Sequence, residues 1–285
     1  MAALTIAGLT IAEIFRRRIA WILLGLTLAS VLLTTWGVDR LVSTGRGHGV
    51  TDLEVYVATS QILILVAFMF SFVLAMTAAF LGAPAIAADL ESGVAQAMLA
   101  RPIRRSDLVV GRWLGLAAVV IAYALASGLL EIVAIGFVSG YYPPQPLLAS
   151  GFLAAQAVVL LTFALLLSTR LPAIAAGAIC VVLFGLGWMA GVFAVVGRFF
   201  DAGPLVTASE ASRWLLPSDG LWRGAIYGLE PPAVIFVTLG RAGPAAAANP
   251  FFAAAPPPAE FVAWSAAWIV IVLGLAVISL RRRDL

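Results

Sequence analysis

Long apolar runs govern what this chain can fold into. They cover about residues 19–38, 58–83, 112–138, 148–169, 173–197 and 260–280. A helix needs about 20 such residues to cross a bilayer. Barrel strands are shorter and alternate in polarity. Inside lipid a spanning segment must satisfy its own backbone polar groups, which leaves helices for runs this long and continuous. Composition agrees, with 63% of residues hydrophobic and 11% charged, where a soluble domain is about a quarter charged. The expected fold is all-α and polytopic: six spans in one domain over residues 1–285.

Charge sorting sets the orientation. Arginines 16–18, 101, 104, 105, 112, 170 and 281–283 fall on one side if both termini share it. Only Arg40, Arg46, Arg198, Arg213, Arg223 and Arg241 fall on the other. The positive-inside rule then puts both termini in the cytoplasm and the chain in the plasma (inner) membrane. Residues 1–18 are weakly amphipathic and end in three arginines, so they are expected to lie at the interface as a helix. The run after them is too long for the h-region of a signal peptide. Between spans five and six, Trp214, Pro217, Trp222 and Tyr227 suggest two short helices in the outer leaflet, or an ordered extracellular cap. The Ala- and Pro-rich residues 242–258 are expected to be a linker.

Several chemistries are excluded. All 17 basic residues are arginine, so there is no lysine to serve a P-loop. One cysteine, Cys180, and one histidine, His48, make neither a disulfide within the chain nor a usual metal site. Met69 and Met76, a heptad apart, suit packing better than a Cu(I) site. No nucleophile–base pair or paired-carboxylate motif is present, so no enzymatic activity, cofactor or metal is expected in this chain, and no nucleic-acid partner.

The loop between spans two and three is the most informative segment. Leu90, Val94, Ala97 and Met98 fall on one helical face. Ser106 is placed to cap the following helix, with Asp107 in its first turn. The loop could dock a cytoplasmic partner, or Arg101, Arg104 and Arg105 could hold it on anionic lipid. The strings Asp89-x-Glu91-x-Gly93, Leu99-x-Arg101-Pro102-Ile103-x-Arg105 and Gly111-Arg112 resemble the signature of type-2 ABC exporter permeases, with Val94 where that family often has Thr. The resemblance implies a coupling helix here, carrying Asp89, Glu91, Gly93, Arg101, Pro102, Arg104 and Arg105. It also implies two separate ATPase subunits that hold ATP and Mg, and a second permease copy or a related permease beside them in the lipid.

Polar residues inside the spans form a second group. Tyr123, Ser127 and Glu131 are spaced by four and share a helical face. With Gln61 and Gln156 they are expected at similar outer depth. An ionisable residue there is a candidate for a translocation path, or merely an inter-helix bond. Gly187-x-x-x-Gly191 allows close helix approach, within the bundle or between permeases. The leading expectation is an ABC exporter permease. An ion- or proton-coupled secondary transporter and a non-transporting scaffold subunit are the alternatives.

Overall fold

The computed structural model describes residues 2–16, 18–93, 104–242 and 249–283. These residues form helices and no strand: α1 (Ala2–Arg16), α2 (Arg18–Gly47), α3 (Asp52–Gly82), α4 (Pro84–Glu91), α5 (Arg105–Ser139), α6 (Pro146–Ser168), α7 (Ala173–Phe199), α8 (Gly203–Leu215), α9 (Ser218–Leu229), α10 (Pro232–Ala242) and α11 (Ala259–Arg281). Six are long and apolar enough to cross a membrane: α2, α3 with its continuation α4, α5, α6, α7 and α11. The chain is a multi-pass membrane protein.

The helices overrun the apolar runs that announced them. The 30 residues of α2 extend about 45 Å at the usual rise per residue, well beyond a hydrocarbon core of about 30 Å. The polar stretch after residue 38 is therefore mostly helix. A capping box between Thr51 and Glu54 starts α3 on the far side of a short turn. Ala83 stays in the α conformation, and Pro84, lacking an N–H, marks the break between α3 and α4.

The centre of the bundle is α6. Inside the chain, 72% of its apolar window is buried, against 11% for α2. Around α6 stand α3, α5, α9 and α11. Lipid tails are as apolar as leucine, so contact between helices in a membrane depends on close packing rather than on escape from water. Small residues supply it. On α9, a side chain at Gly224 would strike the Phe152 ring at 2.7 Å, and one at Gly228 would meet Ala149 of α6 at 3.0 Å.

The end of the bundle rich in arginine is knitted together by them. Arg105 donates to the carbonyls of Leu280 and Arg281 at 3.1 Å and of Arg283 at 2.7 Å, filling acceptors left open at the end of α11. Arg283 donates to the Thr169 carbonyl at 2.6 Å, and Arg170 to that of Ser279 at 2.9 Å. Ile86 of α4 is fully buried against Leu108, Leu165 and Leu280, which seats α4 under the same end.

At the opposite end α8 and α9 form a hairpin that dips into the bundle. Its tip, near Pro217, lies beside the middle of α7, where Gly187 faces Ser218 and Gly191 faces the Asp219 carboxylate. The GxxxG pair therefore serves packing within the chain. Pro217 follows the end of α8, whose last carbonyls have no donor within the helix. The indole of Trp264 donates to Trp214 O at 3.0 Å and that of Trp268 to Leu215 O at 2.8 Å. Arg213 reaches Asp219 at 2.8 Å. Of the expected interfacial residues, Trp214 is half exposed, whereas Trp222 is buried and donates to Pro250 O at 3.2 Å. Trp222 faces inward because α9 is enclosed by α6, α7 and α3. A third short helix, α10, occupies residues that carried no expectation.

Candidate functional site

The family-like segment begins on α4, which closes where Gly93 adopts φ +75°. That left-handed turn suits glycine and closes helices. The helix that holds Leu90 ends at Glu91, and Val94, expected on the same face, lies outside the described residues. Ala97, Met98, Arg101 and Pro102 lie outside the described residues. Beyond them α5 begins at Arg105, with Arg104 at its N-cap and no side-chain cap. Ser106 sits inside the first turn rather than capping it, because the helix starts two residues early. Glu91 and Arg104 are exposed. Arg105 is turned instead to α11, as described above.

Asp89 and Arg112 come together. Arg112 forks onto the Asp89 carboxylate, with its Nη2 2.7 Å from Oδ2 and its Nε 3.2 Å from the same atom. Its other nitrogen, Nη1, lies 2.8 Å from Glu13 Oε2 on α1. One guanidinium therefore joins α1, α4 and α5. The Arg112 and Asp89 side chains are 15% and 14% exposed, and Glu13 is 44% exposed. The Arg112–Asp89 pair carries most of the energy, since exposed pairs contribute little.

Gly111 and Gly115 explain how α1 comes so close. A side chain at Gly111 would meet Ala3 O at 2.7 Å, and one at Gly115 would meet Ala7 O at 2.7 Å. The α1 backbone lies directly on this stripe of α5. The amphipathic segment is thus docked on a span. The signal was in the sequence as Gly111-x-x-x-Gly115, and Glu13 was one acidic residue close to three arginines.

Above this node a cleft of about 1270 Å³ opens between α1, α2, α3, α4 and α5. Its walls are mostly apolar, with Phe72, Met76, Phe80 and Leu116 among them, and Asp89 and Arg112 line its arginine-rich end. A second chamber, about 290 Å³, continues towards the opposite end between α2, α3, α5 and α6. Thr27, Val73, Tyr123 and Ser127 line both. Thr27 Oγ1 donates to Leu23 O at 2.9 Å, so at 2.6 Å it accepts from the Tyr123 hydroxyl. This bond ties α2 to α5 where the two spaces meet, with the Phe70 ring 6.0 Å from that of Tyr123.

Tyr123, Ser127 and Glu131 all face the second chamber, as their spacing predicts. Glu131 accepts from Thr34. Gln61 and Gln156 are not brought there. Gln61 is exposed and hydrogen-bonds Glu230. Gln156 is buried on α6, its Oε1 without a partner. The similar depth expected of the three residues does not by itself put them on a common face. Met69 and Met76 line the two spaces, one each.

Glu230 follows α9 and is buried, accepting from Ala253 N at 3.3 Å. Burial raises its pKa to about 7, against the opposing hydrogen bonds from Ala253 and Gln61. Beside it, burial and the Glu230 charge push the Tyr141 phenol up, and its hydroxyl donates to Leu229 O at 2.7 Å.

Comparison with known proteins places this architecture. The family model for the ABC-2 family transporter proteins matches residues 4–285, so the chain belongs to that family. The curated proteins compared with it gave no match.

Proposed function

We propose that this ABC-2 family chain is the permease subunit of an ATP-driven exporter, with its arginine-rich end in the cytoplasm. ATP and Mg would be held by two partner ATPase subunits, and a second permease would complete the path. The ATPases would dock on the segment from α4 to α5, with Asp89, Glu91, Gly93, Arg101, Pro102 and Arg104 as its working residues.

The observation that carries this reading is the Arg112 node. A push on α4 acts on Asp89 and, through one guanidinium, on α5 and α1 together. The same α5 carries Tyr123, Ser127 and Glu131 into the chamber. A rigid helix with two discrete seatings is how a distant ligand opens a path. Arg105 is a stabilising residue in this scheme, since its bonds close α11.

The test is affinity purification in mild detergent from the native host, beside the variant Glu91→Lys with Arg104→Glu. Both positions are exposed, so the bundle survives the change. A P-loop ATPase that accompanies the native chain and is depleted from the variant supports the reading. Equal recovery with both, or none with either, refutes this docking surface.

A further inference from the structure

Glu131 is 9% exposed, in a chamber with no basic side chain among its described lining residues. A carboxylate can accept about four hydrogen bonds. Among the described residues its one donor is Thr34, whose hydroxyl oxygen also lies 2.9 Å from Ser30 O and has a single proton to give. A carboxylate so placed is costly to bury without a counter-charge. Ser150 is a second, independent sign of a missing ligand. It lines the same chamber, is 1% exposed, and its Oγ has no partner. An apolar cleft adjoins them, large enough for a hydrophobic body.

We propose that the chamber between α2, α3, α5 and α6 binds an amphiphilic organic cation. Its ammonium-type N–H group meets Glu131 and Ser150, and its apolar body extends past the Thr27–Tyr123 bond into the cleft. This proposal gives a ligand class to the path described above and rests on that path in its transport role only. The binding site itself requires neither nucleotide nor partner. Selectivity follows from the lining. A neutral amphiphile gains the apolar contact and leaves the carboxylate unpaired, and an anion faces Glu131 directly.

The test uses the full-length protein in phosphatidylcholine nanodiscs, whose zwitterionic surface does not concentrate cations. Rhodamine 6G is the cationic probe and Nile red the neutral one, both read by fluorescence anisotropy. Rhodamine 6G should bind saturably. Glu131→Gln should weaken it at least tenfold and leave Nile red within twofold, and Glu131→Asp should keep the preference for the cation. Equal weakening of both probes, or no change in either, overturns the proposal. Should Glu131→Gln not yield monodisperse protein, Ser30→Trp decides, because Ser30 lines the chamber from the peripheral α2. Loss of rhodamine 6G binding supports the site, and retained affinity overturns it. The two proposals fail separately. A chain that binds the cation but recovers no ATPase keeps the site and loses the permease reading. A chain that recovers its ATPase without a Glu131-dependent preference loses the site alone.

Discussion

Arg112 holds three helices with one side chain, so its replacement should cost more than that of either partner. Arg112→Gln leaves Asp89 buried without a counter-charge. We expect a loss of roughly 3 kcal/mol, the lower range for breaking one side of a buried pair. Glu13→Gln should cost under about 1 kcal/mol because that carboxylate is partly solvated. Chemical unfolding in detergent measures both, and equal losses would contradict the ranking. Glu230 gives a pH signature of opposite sense to a salt-bridged carboxylate. Its pKa is raised from 4.5 to about 7. Between those values the folded chain keeps a proton that the unfolded chain has released. Stability therefore falls as pH rises through that window and is level above it. Glu230→Gln should flatten the fall in melting temperature between pH 5 and 7, and an unchanged slope would reject the assignment. Little of this was visible in the sequence. The Asp89 and Gly111-Arg112 motif was legible, but that Arg112 reaches back to Asp89, and also to Glu13, depends on where the chain returns.

Among the elements, glycine stripes decide which helices touch. Gly115→Leu should force α1 off α5, because its side chain would meet Ala7 O and Thr10. The expected cost is about 1–3 kcal/mol, with faster proteolysis near Arg16. Gly8→Leu on α1 points into open space and should stay within about 0.5 kcal/mol of the native chain. If both variants behave alike, α1 is not docked as described. The spans were legible because length and hydropathy determine them. Their ends were not, since a helix can continue past its apolar run without a hydropathy signal, as α2 does beyond residue 38. The α8–α9 hairpin was half legible. Pro217 and the tryptophans marked a break, but Trp222 turned inward because Gly220, Gly224 and Gly228 let neighbours close round α9.

For the whole molecule, the two chambers lie along one line from Arg112 to Glu131, interrupted by the Thr27–Tyr123 bond. Gln61 and Gln156, expected at a similar depth, line neither chamber. Depth follows from position along a span, whereas facing depends on helix rotation about its axis, which a single apolar run does not encode. If the chain works as proposed, nucleotide on the partner ATPases changes the junction between the chambers. This can be tested without knowing the substrate. Thr27→Cys with Tyr123→Cys, in a Cys180→Ala background, would be cross-linked by a short bifunctional methanethiosulfonate in the ATPase-bound complex. The yield should differ between the nucleotide-free and the ATP–vanadate-trapped complex, and the difference should vanish with Arg112→Gln. The same yield in both nucleotide states would contradict the account.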